Sequence, residues 1–220
     1  MPGRASEDGR SDYPAGMSTI LDSGTTADDA LQRLKGGNAR FVAGTARFPT
    51  MQKEILAELA KGQHPYATIL SCSDSRVPPE LIFDAGLGEL FIIRVAGNVL
   101  SPEIAGSLQY AWRHLHTPLF VVLGHTNCGA VEAAIETRLR GKRQHSRIQL
   151  LVESILPGLD DLDPQSTPEA MFAQAVEANV RWTMRQIRET PEGCERQTEG
   201  SVKLVGAIYE IETGLVRFLE

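Results

Sequence analysis

Apolar runs alternate with amphipathic stretches along most of the chain, and this alternation predicts strands followed by helices. Three continuous apolar runs, YATILSC, LFIIRVAG and PLFVVLGH, have the length and composition of buried strands. Helical spacing follows in PEIAGSLQYAWRHLH, GAVEAAIETRLRG, RIQLLVESILPGL and the stretch from Pro168 to Glu189. The pattern indicates an α/β fold, with a central, mostly parallel β-sheet flanked by helices on both faces.

The two ends of the chain have different patterns. Residues 1–24 are rich in Gly, Ser, Asp and Pro, so we expect a flexible N-terminal arm there. TTADDALQRLKGGNARFVAG predicts an N-terminal helix that its Gly-Gly pair ends or interrupts, and MQKEILAELAKG predicts a second, short helix. Two apolar runs around a Glu-Thr-Gly turn predict C-terminal edge strands in a hairpin. We therefore predict a single α/β domain over residues 25–220.

Composition narrows the class of function. Charged residues make up 23% of the 220 residues and the formal net charge is -6, which argues against a nucleic-acid binder. No apolar stretch is long enough to span a bilayer, and the N-terminus lacks a secretory hydrophobic core, so we expect a cytoplasmic protein without a membrane partner. The cysteines are Cys72, Cys128 and Cys194, an odd number that disfavours a disulfide framework. In a reducing compartment such cysteines are more often metal ligands or nucleophiles.

Polar side chains follow two of the predicted strands. In SCSDSR, Cys72, Asp74 and Arg76 alternate, so a strand end would project them to one face. In LGHTNC, His125 and Cys128 stand between the third strand and the next helix. Because the carboxyl ends of parallel strands meet at one edge of a sheet, we expect the thiols, the imidazole and the carboxylate to converge. Two thiolates and one imidazole suit Zn²⁺, and three firm ligands leave a fourth position open, as in catalytic sites.

Plainer interpretations exist for each residue alone. A buried cysteine is more often a small hydrophobic residue than a ligand, and short His/Cys spacings arise by chance. The interpretation of Cys72 and Cys128 as a redox pair has still less support, because they do not form a Cys-x-x-Cys motif. The placement of both motifs at strand ends is what favours a metal site.

The two motifs lie in longer stretches that resemble a known family. SCSDSRVPPELIFDAGLGELFIIRVAGNVL and VVLGHTNCGAVEAA are similar to the signature blocks of the β-class carbonic anhydrases, with Cys-x-Asp-x-Arg and His-x-x-Cys intact. The resemblance runs from ALQRLKGGNARFVAG to VKLVGAIYEIETGLVRF. It implies an enzyme that reversibly hydrates carbon dioxide to bicarbonate and a proton, with one zinc per subunit bound by Cys72, His125 and Cys128. It also implies subunits that pair to build the site at a dimer interface, and dimers or tetramers overall.

The resemblance also implies roles for residues around the metal. Asp74 and Arg76 match a dyad beside the zinc. Gln63 matches a glutamine that donates a hydrogen bond to bicarbonate in some members, and Phe91 matches an apolar residue that lines the pocket. Independently of the family, the backbone amide near Gly129 stands at a predicted helix start, where a developing anion would be stabilised.

The dyad suggests both a catalytic role and a gate. Two thiolates cancel the charge of Zn²⁺, so the zinc-bound hydroxide needs help, and Asp74 can accept its hydrogen bond while Arg76 keeps that carboxylate ionised. Without Arg76, Asp74 is itself a good fourth ligand and would close the site. Some closed family members carry a tryptophan three residues before the first zinc cysteine, where this chain has Ile69. We therefore expect an open site.

Two other functions remain open from sequence. The same scaffold could hydrolyse carbonyl sulfide or carbon disulfide, which are linear like carbon dioxide. A non-catalytic zinc protein is also conceivable, although a purely structural site has no need of the Arg76 guanidinium.

Overall fold

The structure is a computed structural model that describes residues 24–47, 56–57, 59–163, 165–191, 193–194 and 202–219. Apart from Gly24, the predicted N-terminal arm lies outside the described residues. So does half of the predicted short helix, residues 51–62, and among its described residues 56, 57 and 59 are helical.

The described chain forms one five-stranded sheet in the order β2-β1-β3-β4-β5. The strands are β1 (Ala67–Ser71), β2 (Leu90–Arg94), β3 (Leu119–His125), β4 (Lys203–Tyr209) and β5 (Val216–Leu219). The first four are parallel, and β5 pairs with β4 in the antiparallel sense. Every residue of β1 and β3 is buried, because these strands lie inside a sheet that is covered on both faces. The predicted mostly parallel sheet and its C-terminal hairpin are confirmed, with β5 at the edge.

Helices connect the strands and cover the sheet. They are α1 (Ala27–Val42), α2 (Pro79–Ile82), α3 (Pro102–Arg113), α4 (Gly129–Arg140), α5 (Ser146–Ile155) and α6 (Pro168–Glu189). The hydroxyls of Ser101 and Thr167 accept backbone hydrogen bonds at the starts of α3 and α6, and each of these helices has proline at its first position. No helix among the described residues is long and apolar enough to cross a membrane.

The Gly36-Gly37 pair does not end or interrupt α1, so that prediction is wrong. The helix runs from its Thr26 capping box to Val42 without a break. A Cβ atom on Gly37 would lie only 1.9 Å from the carbonyl oxygen of Phe83. The glycine therefore serves close packing of α1 against the end of α2 and does not break the helix.

Two apolar clusters, one on each face of the sheet, form the core. On one face Leu70, Ile93 and Val122 pack with residues of α3 to α6, and on the other Leu34 and Phe83 pack with neighbouring strand residues. Successive residues of a strand point to opposite faces, which explains how one apolar strand supplies both clusters. Because the apolar clusters cover both faces of the sheet, a functional site has to form elsewhere, and the carboxyl ends of β1 and β3 are available for it.

Candidate metal centre

Two neighbouring strand ends and one helix start position the candidate ligands. Cys72 directly follows β1, His125 is the last residue of β3, and Cys128 is the residue that precedes α4. Strands β1 and β3 run parallel with Ser71 opposite Leu123, so the segments that follow the two strands leave the sheet at the same edge. This register brings together two motifs that are far apart in sequence.

The ligand atoms of Cys72, His125 and Cys128 all lie within 4.8 Å of one another, and the three residues are buried. The Nδ1 atom of His125 is 2.8 Å from the carbonyl oxygen of Thr126, which fixes the ring so that Nε2 is available to a metal. This buried Nε2 has no hydrogen-bond partner among the described residues. An unpartnered imidazole nitrogen beside two thiols fits a zinc ion.

The two buried thiols shift each other's pKa in opposite directions. The Cys128 thiol donates a hydrogen bond to Cys72 and lowers the pKa of Cys72 to about 4, although burial opposes the shift. The same hydrogen bond, together with burial, raises the pKa of Cys128 above its usual value. Backbone amides of Ala130 and Val131 also hydrogen-bond to Cys128 and favour its thiolate. Cysteine binds a metal as thiolate, so the lowered pKa of Cys72 fits a role as a ligand.

Beside the thiols, Asp74 and Arg76 form a bidentate ion pair. Arg76 Nε donates to Asp74 Oδ1 at 2.9 Å, and Nη2 donates to Oδ2 at 2.8 Å. The Arg76 guanidinium holds the pKa of Asp74 well below its usual value. Asp74 Oδ2 lies 4.0 Å from His125 Nε2, so an ionised carboxylate borders the three candidate ligands.

Arg94 positions the backbone between the first cysteine and the carboxylate. Its Nε donates to the carbonyl oxygen of Cys72 at 3.0 Å, and its Nη2 donates to that of Asp74 at 2.6 Å. Arg94 is the last residue of β2 and pairs with Ser71 of β1. In the sequence, the position of Arg94 at the end of a predicted strand is the feature that could have indicated this contact.

The three residues assigned to substrate lie in different places. Gly129 is exposed and starts α4, next to Cys128. Gln63 is exposed and precedes β1, and Phe91 is half-buried near the start of β2, opposite Thr68. Gln63 and Phe91 thus stand at the amino ends of strands, whereas the candidate ligands stand at the carboxyl ends. The four residue steps from Thr68 to Cys72 alone span about 13 Å of strand, so we do not expect one chain to bring Gln63 or Phe91 to its own candidate metal centre.

Fold and site together define an α/β protein with a metal centre at the carboxyl edge of its sheet. The family model described as Carbonic anhydrase matches residues 67–216. Carbonic anhydrase 2 of Mycobacterium tuberculosis is 38% identical over 187 residues, which cover 84% of this chain and 89% of that relative. The carbonic anhydrase of Mycolicibacterium smegmatis is 36% identical over 189 residues, which cover 85% of this chain and 90% of the relative.

A solved structure agrees with these relatives. The β-carbonic anhydrase CcaA superimposes with a TM-score of 0.69 at 28% identity, covering 86% of this chain and 87% of that one. The chain belongs to the β-carbonic anhydrase family and is an enzyme of this class. The family resemblance that the two sequence motifs indicated is confirmed.

Proposed function

We propose that this enzyme binds one zinc ion through Cys72, His125 and Cys128 and reversibly hydrates carbon dioxide to bicarbonate and a proton. The observation that supports this most directly is the buried group of two thiols and an unpartnered imidazole nitrogen within 4.8 Å. When bound, zinc supplies the Lewis acidity that makes water nucleophilic near neutral pH. We expect the enzyme to act in the cytoplasm.

Asp74 orients the attacking water. Its ionised carboxylate is an acceptor only, so it takes a hydrogen bond from the water and leaves a lone pair directed at the carbon of the substrate. Arg76 engages both oxygens of Asp74, and a third hydrogen bond reaches Asp74 Oδ1 from the Arg76 backbone amide at 3.0 Å. These bonds keep the carboxylate ionised and hold it away from the open coordination position.

The start of α4 stabilises the charge that develops on the substrate. Gly129 is the first residue of this 12-residue helix, it is exposed, and a Cβ atom at this position would meet no other atom within 4 Å. Free amides at a helix start carry partial positive charge, which favours an anion such as bicarbonate.

Gln63 and Phe91 complete the site from a partner subunit. Phe91 pairs with Thr68, about 13 Å of strand before Cys72, and Gln63 precedes β1, so a second copy would supply both residues. Gln63 would donate a hydrogen bond to bicarbonate and Phe91 would line the apolar side of the pocket. This arrangement supports self-association to a dimer or tetramer.

The direct test combines zinc content with stopped-flow hydration of carbon dioxide. We expect about one zinc per subunit and hydration activity in the wild-type enzyme, and the loss of both in Cys128→Ala. Cys194→Ala is the matched control, because Cys194 is exposed and remote from the three ligands, and it should keep both. A wild-type enzyme that contains stoichiometric zinc but hydrates no carbon dioxide at any pH contradicts the proposal. Competition with carbonyl sulfide and carbon disulfide separates hydration from hydrolysis of those substrates.

A further inference from the structure

Cys72 receives a hydrogen bond from a part of the chain that is not in either motif. The backbone amide of Gly97 donates to Cys72 Sγ with an N···S distance of 3.4 Å. Such a bond draws electron density away from a thiolate, so the sulfur donates less charge to a bound metal. The direction of the Gly97 amide therefore affects the electronic character of the centre.

That direction depends on an unusual backbone conformation. Gly97 lies in the 3₁₀ turn Ala96–Asn98 that follows β2, and its φ of 71° is in the left-handed region. A Cβ atom at this position would lie 2.8 Å from Ile155 Cδ1 and 3.1 Å from Ala130 Cβ. Only glycine fits here, and glycine alone does not hold a turn in one conformation.

Asn179, in the middle of α6, holds the turn from the other side. Its side chain is 1% exposed, and its Nδ2 donates to the carbonyl oxygen of Gly97 at 2.9 Å. Gly97 thus has its N–H bonded to the cysteine sulfur and its C=O bonded to Asn179. The helix otherwise packs apolar residues such as Val176 and Val180 into the core, where a buried amide is costly unless it is bonded.

We propose that Asn179 is a positioning residue for the metal centre, because it fixes the Gly97 turn so that the Gly97 amide donates to the Cys72 ligand. The inference rests on the proposed metal binding and extends it to a residue that is not itself a candidate ligand. Its effect passes through two hydrogen bonds. Loss of the Asn179 amide frees the turn, weakens the bond to sulfur, and leaves Cys72 a more electron-rich ligand.

Cobalt substitution tests the proposal, because the thiolate-to-cobalt charge-transfer band reports the electron density on sulfur. Asn179→Leu keeps the branched shape of the side chain and removes the donor. We expect its band to move to longer wavelength than in the wild-type protein, because the sulfur becomes more electron-rich. Asn179→Ala removes the same donor without steric strain and should shift the band in the same direction.

Thr183→Val is the matched control. Thr183 lies one turn further along α6, is equally buried, and its hydroxyl has no hydrogen-bond partner among the described residues. Its replacement should leave the band unchanged. Folded Asn179→Leu or Asn179→Ala protein with the wild-type band overturns the positioning role. A wild-type protein that shows no thiolate-to-cobalt band contradicts the metal site itself, so the two failures are distinguishable.

Discussion

At the scale of single residues, the Asp74 carboxylate has two possible partners in the centre. It is bound on both oxygens by Arg76, and it lies 4.0 Å from the imidazole nitrogen that faces the metal position. Carboxylates are good zinc ligands, so in the proposed mechanism the loss of the Arg76 contact would let Asp74 take the place of the water on zinc. The guanidinium is half exposed, and its Nη2 also donates to the Asn127 carbonyl oxygen at 3.2 Å, which ties it to the loop before Cys128.

Replacing Arg76 should close the site without removing the metal. In Arg76→Gln we expect full zinc content, coordination of Asp74 to the zinc, and a fall in kcat/KM of about 10²–10³, comparable to the loss of one preorganised charge-stabilising group. Zinc analysis, stopped-flow hydration and a crystal structure near pH 8 measure these outcomes. Arg147→Gln changes an exposed arginine outside the site and should behave as wild type. Undiminished hydration by Arg76→Gln would exclude a gating role.

At the scale of secondary-structure elements, α1 is fixed to the sheet by one buried asparagine. Asn38 Nδ2 donates to the carbonyl oxygens of Ile82 and Gly214 at 3.2 and 2.8 Å, and its Oδ1 accepts from the Val216 amide at 2.9 Å. These bonds join α1 to α2 and to the C-terminal hairpin. The N-terminal helix is therefore an integral part of the domain in this structure.

The adjacent glycines of α1 should respond oppositely to alanine. Gly36→Ala meets only the flexible end of Arg40 at 3.7 Å, so it should raise the free energy of unfolding by up to about 1 kcal/mol. Gly37→Ala forces α1 away from Phe83 and should lower that free energy by about 1–3 kcal/mol. Urea denaturation of the two variants and the wild type compares them directly. Equal effects at both positions would mean that the close approach of α1 to α2 is absent in solution.

These elements show what a local pattern can and cannot predict. The boundaries of α6 and of the first three strands follow from apolar spacing and capping residues, which are local properties. The continuity of α1 through Gly37 depends on a backbone 46 positions away at Phe83, which no local rule includes. By contrast, the convergence of Cys72, His125 and Cys128 was predictable, because the carboxyl ends of neighbouring parallel strands meet at one edge of the sheet. Asn179 was not, because its contact with Gly97 exists only after α6 packs.

At the scale of the whole molecule, the residues assigned to one site are divided between opposite edges of the sheet. The candidate ligands lie at the carboxyl edge, and Gln63 and Phe91 lie at the amino ends of β1 and β2. A pair of subunits that completes the site must therefore place the amino edge of one sheet near the carboxyl edge of the other. A two-fold axis would form two equivalent sites in this way.

Subunit mixing tests whether the site is shared. Cys128→Ala lacks metal, and Gln63→Ala lacks the proposed hydrogen-bond donor, so each alone should hydrate carbon dioxide poorly. In a mixed dimer, one site combines the metal ligands of the Gln63→Ala chain with the Gln63 side chain of the Cys128→Ala chain. An equal mixture, refolded together, should recover about a quarter of wild-type activity, since half of the dimers are mixed and each has one intact site.

The control for mixing places both changes in one chain. Cys128→Ala/Gln63→Ala, refolded with Gln63→Ala, can form no intact site and should recover nothing. Equal recovery in the two mixtures would show that Gln63 does not act across subunits.

The parallel pairing of β1 with β3 also determines when the metal can be bound during folding. Cys72 follows β1 and His125 ends β3, and the long connection between them contains β2 and α3, so the two strand ends are far apart in sequence. Contacts between residues so distant in sequence form slowly, because the loop has to close first. A complete ligand set therefore exists only in the folded sheet, and zinc uptake during refolding should follow the formation of the sheet at a rate independent of zinc concentration. In that case the ion would stabilise a domain that has already folded and would not guide its assembly.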